Sequence, residues 1–285
     1  MIRINECPRD AMQGLAHFVP TETKAAYHNA LLAVGFDRLD FGSFVSPAAI
    51  PQMRDTGEVL NRLNLTGSRT RLLAIVANLR GAEQAMEFEQ IHYLGFPLSV
   101  SETFQQRNTR KSVEEALQEV ARIQNLCLAR GKSLVVYLSM AFGNPYGDPY
   151  SASHVTEAGE RLLGLGIRHI SLADTVGQAT PAEVENLIGE VSRMWKGKAE
   201  INAHLHARPE TVEAKARAAW KGGCDSLDVA LGGYGGCPMA NDELVGNLDT
   251  AKVLAWMNRE GIAHGLEEAA LGAALKLMPA VFSAG

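Results

Sequence analysis

The chain alternates between short runs with strand character and longer amphipathic stretches, and this alternation limits the fold more than any other feature. The runs with strand character lie at 3–6, 38–41, 71–77, 98–101, 133–139, 169–172, 200–204 and 226–230. Helical spacing is found at 21–35, 54–63, 81–94, 111–130, 151–165, 181–194 and 209–222, and after the last strand at 249–260 and 265–277. Eight strands, each followed by a helix, are the number that a closed parallel barrel needs.

This pattern predicts an α/β protein built as a single (β/α)8 TIM barrel. We expect one catalytic domain over residues 1–285, with helices after the last strand, because no linker or low-complexity tract divides the chain. Gly95 follows a helical run, where a glycine C-cap is common. A doubly wound open sheet is the alternative, since patterning determines fold class better than topology.

Composition and charge narrow the choice of partner. The formal charge is −5, with 27 basic and 32 acidic residues, which argues against a nucleic-acid footprint. No apolar run approaches 18 residues, and the first residues lack an apolar signal core, so we expect no membrane segment. The four cysteines show no CxxC spacing, which favours reduced thiols and a cytoplasmic location. A small-molecule substrate is therefore expected.

Residues able to do chemistry collect just after the predicted strands, where barrel enzymes place their active sites. Arg9 and Asp10 follow the first strand; an ion pair at the barrel rim is the alternative reading of that dipeptide. His204 and His206 end the seventh strand, and residues two apart on a strand point to the same face. Two rim histidines without a ligand are a common alternative. Because the first and seventh strands flank the eighth in a closed barrel, Asp10 and both imidazoles should share one sector of the mouth.

A glycine-rich segment, Leu-Gly-Gly-Tyr-Gly-Gly-Cys-Pro, follows the last strand at 231–238, and Asn247 comes ten residues after Cys237. Its spacing does not fit a dinucleotide fingerprint. A thiol on such a loop can swing toward a substrate; a flexible loop with an incidental cysteine is the alternative. Asp10, His204, His206 and Asn247 together offer only nitrogen and oxygen ligands, which suits Mg²⁺ or Mn²⁺, with Zn²⁺ or Co²⁺ as alternatives.

Several motifs in these positions resemble those of the 3-hydroxy-3-methylglutaryl-CoA lyases, a branch of the metal-dependent lyase and condensing barrels. They are Cys-Pro-Arg-Asp-Ala-Met-Gln (7–13), Gly-Ser-Phe-Val-Ser-Pro (42–47), Ser-Leu-Ala-Asp-Thr-Val-Gly (171–177), His204-x-His206 and Gly-Gly-Cys-Pro-Met-Ala with Gly-Asn-Leu (235–248). The likeness covers nearly the whole chain in order, and the cysteine-containing glycine motif is specific to the lyase branch.

The resemblance implies a role for each matching position. Asp10, His204, His206 and Asn247 match metal ligands, Arg9 the arginine that stabilises the enolate, and Cys237 the catalytic cysteine. Asp40 stands where the family has a catalytic glutamate, and Asp174 matches an active-site aspartate. Gln13, Ser43 and Ser171 align with polar residues of the substrate pocket. A homodimer is expected from the resemblance alone.

The implied reaction is a retro-Claisen-type cleavage of a CoA thioester. A divalent metal binds and acidifies the substrate hydroxyl, and His204 or Asp174 removes its proton. The C2–C3 bond then breaks to give acetoacetate, Arg9 holds the thioester enolate, and Cys237 or a linked group protonates it to acetyl-CoA.

Three departures from the family pattern bear on the acyl group. Ala207-Arg208 follows His206 where the family usually has Asp-Thr, the residues after Gln13 lack the usual polar and basic character, and Asn144 replaces a cysteine. A related branched 3-hydroxy-3-methylacyl thioester therefore stays open as the substrate.

Other functions fit parts of the same pattern. A condensing enzyme of the wider family is second, because such enzymes usually carry long C-terminal extensions and this chain ends soon after the barrel. An aldolase acting on free oxo-acids is third. A catalytically silent barrel that serves as a binding scaffold conflicts with the intact ligand set.

Overall fold

The strands close into one parallel barrel in chain order, with β8 pairing back onto β1. The computed structural model describes residues 2–236 and 245–283. The strands are β1 (Arg3–Glu6), β2 (Arg38–Ser43), β3 (Arg71–Ile75), β4 (Ile91–Ser99), β5 (Ser133–Ser139), β6 (His169–Asp174), β7 (Glu200–Leu205) and β8 (Ser226–Val229). The predicted α/β class and (β/α)8 barrel are confirmed.

Helices follow the strands around the outside of the barrel. They are α1 (Pro8–Gln13), α2 (Thr21–Val34), α3 (Thr56–Leu60), α4 (Leu79–Ala85), α5 (Glu102–Thr109), α6 (Val113–Ala129), α7 (Ala152–Gly164), α8 (Pro181–Met194), α9 (Val212–Gly222), α10 (Thr250–Arg259) and α11 (Glu268–Phe282). Short 3-10 turns lie at Pro51–Met53 and Leu231–Gly233. Within the described ranges, none of the helices has the length and apolar character needed to cross a bilayer.

Side chains alternate along each strand between the barrel interior and the apolar layer under the helices. On β7, Ile201, Ala203 and Leu205 belong to the apolar core. The residues between them face inward: Asn202 Nδ2 donates to Ser171 Oγ of β6 at 2.7 Å, and His204 follows on the same face. This alternation decides which residues at the strand ends can reach the mouth of the barrel.

The fourth strand lies earlier in the chain than the sequence pattern predicts. A helix over 81–94 and a strand over 98–101 were expected, but α4 ends at Ala85 and β4 runs over Ile91–Ser99. Gly95 is a strand residue and caps no helix. A Cβ atom there would lie 2.5 Å from Ile75 Cδ1 and 3.0 Å from Tyr137 Cε2, so a larger residue would have to displace these side chains inside the barrel.

The chain returns to the barrel mouth just before α10 and lies between the ends of β7 and β8. Ala207 N donates to Gly246 O at 2.9 Å, and Ala230 N donates to Leu248 O at 2.9 Å. Between these two bonds, Asn247 forms an antiparallel bridge with His206. The backbone of Asn247 is thus held from both sides.

Candidate active site

Three predicted ligands meet at the C-terminal mouth of the barrel. One ligand atom from each of Asp10, His204 and His206 lies within 4.8 Å of the other two. Asp10 sits in α1, directly after β1, while the two imidazoles end β7 and follow it. All three side chains are almost fully buried. The closed barrel therefore brings together residues almost two hundred positions apart in the chain.

Asn247 completes this group with an oriented amide. Its Nδ2 atom donates to Asp10 Oδ2 at 2.7 Å and to the Tyr234 main-chain oxygen at 2.9 Å. Its Oδ1 atom is buried and has no hydrogen-bond partner in the described part of the chain. A buried oxygen without a partner is costly unless something binds it, so Oδ1 is available to a cation.

His206, like Asn247, has buried polar atoms that are available to a cation. Neither of its ring nitrogens makes a hydrogen bond of standard geometry to a described residue. Burial and the neighbouring His204 imidazole lower the pKa of His206 to about 4, against smaller opposing effects from Asp10 and the Thr175 backbone. A neutral imidazole with a free lone pair is the form that binds metals. The donor set of carboxylate, two imidazoles and amide oxygen fits a divalent cation.

His204 contacts the carboxylate of Asp228, a residue that the sequence did not single out. Its Nδ1 atom lies 3.0 Å from Asp228 Oδ2, and Asp228 Oδ1 accepts from Asn5 Nδ2 at 2.9 Å. Burial acts to lower the pKa of His204, but Asp228 and Asp10 outweigh it, and the pKa is raised. With Nδ1 engaged, Nε2 is the nitrogen left for a cation or a proton. Alternation on β8, where residues 226, 228 and 230 share a face, was the signal that could have found Asp228.

Arg9 is held by a fork of hydrogen bonds to Asp40. Its Nε atom donates to both carboxylate oxygens at 3.1 and 3.0 Å, and Nη2 donates to Oδ2 at 2.5 Å. Its Nη1 atom donates to Asp10 Oδ1 at 3.1 Å and to Gln13 Oε1 at 2.7 Å. Four of the five guanidinium N–H groups are thereby engaged, which leaves one on Nη2 for a substrate oxygen.

The pKa values of the two carboxylates around Arg9 are shifted in opposite directions. Burial raises the pKa of Asp40 to about 6, with Arg9 opposing. Burial also acts to raise the pKa of Asp10, but Arg9 and the two imidazoles prevail, and the pKa of Asp10 is lowered. Asp10 is therefore ionised and ready to bind a cation. The structure places Asp40 behind Arg9, where it positions the guanidinium, and not on the pocket wall.

Asp174 does not reach the pocket. It ends β6 on the outward face, one position after Ala173, which does line the pocket. Its carboxylate pairs with the buried Lys215 Nζ at 2.6 Å. Lys215 in turn donates to the His206 main-chain oxygen at 2.8 Å. Asp174 thus supports the segment that carries His206, and strand alternation places it away from a substrate hydroxyl.

Of the three predicted substrate-binding residues, one lines the pocket and two do not. Gln13 lines the pocket and donates to Asp10 Oδ1 at 3.0 Å. Ser43 and Ser171 are buried inside the structure, where Ser43 Oγ donates to Ile75 O and Ser171 Oγ accepts from Asn202. Neither serine lines the pocket. Cys237 lies outside the described residues.

The pocket in front of these groups has one strongly polar wall and one mixed wall, in which apolar residues outnumber polar ones. Arg9, Asp10, Gln13 and the two imidazoles form the polar wall near the ligand group. Side chains that the sequence analysis did not single out form the rest: Val45, Ala49, Ile50, Ile75, Ala77, Pro97, Phe104, Asn108, Thr109, Tyr137, Ser139, Ala173 and Thr175. A ligand with an oxygen-rich end and a small apolar branch would match both walls.

Known proteins resemble the chain over most of its length. The HMGL-like family model matches residues 2–278. An (R)-citramalyl-CoA lyase of Chloroflexus aurantiacus is 31% identical over 280 residues, which cover 95% of this chain and 87% of that protein. A hydroxymethylglutaryl-CoA lyase of Bacillus subtilis is 33% identical over 233 residues, which cover 82% of this chain and 77% of that protein. An HMG-CoA lyase of Acinetobacter baumannii, solved with coenzyme A and 3-methylmalate, matches with a TM-score of 0.90 at 30% identity and covers 99% of this chain and 91% of its own.

Proposed function

This chain belongs to the HMGL-like family of lyases, and from that premise we propose that it cleaves a branched 3-hydroxyacyl-CoA by a divalent-metal-dependent reaction. With 3-hydroxy-3-methylglutaryl-CoA the products are acetyl-CoA and acetoacetate. The single observation that carries the proposal is the meeting of Asp10, His204 and His206 with the unpartnered Asn247 Oδ1 beside Arg9.

A divalent cation bound by these residues would polarise the substrate hydroxyl and orient its carboxylate. The nitrogen and oxygen donors favour Mg²⁺ or Mn²⁺, with Zn²⁺ and Co²⁺ as the alternatives. Family membership supports metal dependence, and the donor set supports a site for the ion.

The proton acceptor is His204, because Asp174 is paired with Lys215 on the outward face of β6. A protonated His204 is stabilised by Asp228, whose carboxylate lies 3.0 Å from Nδ1. The proton and a ligand bond would compete for Nε2, so Asp10, His206 and Asn247 are the ligands that do not take part in proton transfer.

The other residues act on the thioester end. When the hydroxyl proton leaves, the C2–C3 electron pair moves onto the thioester carbon and oxygen as an enolate. The free N–H on Nη2 of Arg9, which lines the pocket, would donate to that oxygen. Protonation of the enolate carbon completes acetyl-CoA, and we keep Cys237 as the proposed proton donor.

Two of the departures noted in the sequence have a local structural explanation. Ala207 is buried, and its main-chain N–H donates to Gly246 O, a bond that any residue except proline could make. Asn144 closes its own turn: its Oδ1 accepts from Tyr146 N and Asp148 N, at 3.0 and 3.1 Å. Neither Ala207 nor Asn144 is among the described residues that line the pocket.

Two acyl groups are therefore the candidates. Citramalyl-CoA, the substrate named for one relative, lacks one methylene between the carbinol carbon and the free carboxylate. The same bond cleavage would give acetyl-CoA and pyruvate. The complex of another relative with coenzyme A and 3-methylmalate supports a substrate that joins a CoA thioester to a branched hydroxy diacid.

The test is a paired assay of chelator-treated protein with each thioester, with and without added Mg²⁺ or Mn²⁺. We expect metal-dependent release of acetyl-CoA, with acetoacetate or pyruvate as co-product, and the ratio of the two kcat/KM values identifies the acyl group. Asp10→Asn should lose the activity, whereas the surface variant Glu22→Gln should keep it. Metal binding without turnover of any 3-hydroxyacyl-CoA would refute the proposal. The homodimer, the cytoplasmic location and the extent of the catalytic domain stay predictions.

A further inference from the structure

The last helix of the chain ends at the barrel mouth, far in sequence from the ligand residues. Phe282, in the last turn of α11, is buried and presents its face to Tyr234 of the glycine-rich segment. The two ring centroids are 4.1 Å apart and the planes differ by 2°. Tyr27 of α2 contacts the same phenyl ring edge-on at 5.9 Å, and His17 Nε2 lies 3.1 Å from Val281 O. The end of α11 therefore packs against the barrel mouth through these ring and hydrogen-bond contacts.

Within residues 232–236, Tyr234 is the residue that has a side chain through which the backbone can be held. Its neighbours over 232–236 are all glycine, and each of the four has a positive φ between 68° and 126°. Glycines offer no side chain for packing and leave the backbone many alternative conformations. The Tyr234 ring, 40% exposed and stacked on Phe282, thus supplies the side-chain anchor of this stretch.

The main-chain oxygen of the same tyrosine orients a proposed metal ligand. An amide nitrogen has two N–H donors, and those of Asn247 go to Tyr234 O at 2.9 Å and Asp10 Oδ2 at 2.7 Å. With both donors engaged, Oδ1 is directed away from them and is left without a described partner. If the Tyr234 oxygen moves, one of the two constraints on the amide is lost.

We infer that α11 is a positioning element of the metal site: Phe282 holds the Tyr234 ring, and the Tyr234 carbonyl fixes the amide of Asn247 with Oδ1 toward the cation. Phe282 and Tyr234 are positioning residues, because they act through Asn247. The inference rests on the metal site of the proposed function and adds a residue about 35 positions beyond the last ligand.

The experiment is a Mn²⁺ titration of chelator-treated protein, followed by calorimetry, with unfolding of the metal-free protein as a second readout. Phe282→Ala should weaken Mn²⁺ binding roughly tenfold, the lower end of the range seen when a group that orients a ligand is removed. Phe282→Tyr, which keeps the stacked ring, should restore affinity. Leu275→Ala, at a 43% exposed position of the same helix, is the matched control and should bind as the wild type does.

A second variant, Asn247→Ala, distinguishes an effect of Phe282 through Asn247 from a general disordering of the barrel mouth. In Asn247→Ala protein, adding Phe282→Ala should cost no further Mn²⁺ affinity, since both changes act on one ligand. If Phe282→Ala protein does not fold, Tyr234→Leu in both backgrounds decides, because that ring is half exposed. Wild-type Mn²⁺ affinity in Phe282→Ala or Tyr234→Leu protein, or equal losses with and without Asn247, would overturn the inference. Failure of the wild type to bind Mn²⁺ would instead overturn the metal site itself.

Discussion

The Nδ1 atom of His204 lies 3.0 Å from Asp228 Oδ2, so the imidazole at the barrel mouth is backed by a buried carboxylate on the adjacent strand. This contact fixes the ring orientation and assigns Nε2 to the pocket side. Carboxylates in this position raise the basicity of metal-binding histidines and hold them in place. The contact therefore leaves Nε2 for one of two exclusive roles, a bond to the cation or the uptake of a proton.

Asp228→Asn tests this contact. We expect Mn²⁺ affinity to fall by about 10- to 100-fold, because an amide neither matches the charge of a protonated ring nor fixes its tautomer. The measurement is a Mn²⁺ titration together with the pH profile of kcat. Ser226→Ala, two residues earlier on the same inward face and bonded to Asn202 rather than to a ligand, should leave affinity unchanged. An Asp228→Asn protein that binds Mn²⁺ as tightly as the wild type would remove Asp228 from the site.

Arg9→Lys tests the fork on Asp40. Lysine keeps the charge but lacks the planar guanidinium fork that binds a carboxylate through two parallel hydrogen bonds, so we expect kcat to fall by roughly 10²–10³-fold. Asp40→Asn should lower kcat less, and should add little in the Arg9→Lys background, because Asp40 acts through Arg9. Arg62→Lys, in an exposed pair with Glu22, is the control. Full additivity of the two losses would show that Asp40 acts independently of Arg9.

Gly235→Ala tests the crowding around Asn247. A Cβ at this residue would lie 2.5 Å from Asn247 Nδ2 and 3.1 Å from Asp10 O, at a φ of +104°. We expect weaker Mn²⁺ binding, because the amide must move. Gly67→Ala is matched to it: φ is +72° there, but no atom lies within 4 Å of the added Cβ. That variant should lose only about 1 kcal/mol of stability, the cost of a left-handed backbone for alanine, and keep its metal affinity; equal metal affinities for the two alanine variants would contradict the prediction.

Glu6→Gln tests a buried carboxyl beside the site. Glu6 accepts from Leu231 N and Thr250 Oγ1, both at 2.7 Å, and burial raises its pKa from 4.5 to about 8. Because the folded pKa is the higher one, the wild type is most stable below about pH 4.5 with respect to this group, and loses stability as pH rises toward 8. The loss can reach about 1.4 kcal/mol per pH unit.

Glutamine carries no charge at any pH, so the variant should gain stability relative to the wild type between pH 5.5 and 8.5. Urea denaturation of both proteins in chelator, at several pH values in this interval, measures the difference. Glu22→Gln, at an exposed position, should show no such trend. A constant difference between wild type and Glu6→Gln across the interval would show that Glu6 is charged in the folded protein throughout.

The order of elements and the meeting of the ligands could be predicted from the chain itself. Strand and helix periods are local properties of sequence, and eight repeats admit few closed arrangements. Once the barrel closes, the ends of the first, seventh and eighth strands become neighbours, which is why Asp10, His204, His206 and Asn247 were expected together. The same reasoning failed at β4, where Gly95 was expected to cap a helix and is in fact a strand residue that faces the barrel interior.

Only the tertiary structure decided what each polar group touches. Asp174 pairs with Lys215, Asp40 with Arg9, and Asp228 with His204, and each contact joins residues from different strands or helices. The amide of Asn247 is oriented by Tyr234, whose ring is in turn held by the last helix. Periodicity states which face a residue is on, but hydrogen-bond partners depend on distances and directions across the barrel, and these exist only after the chain has folded.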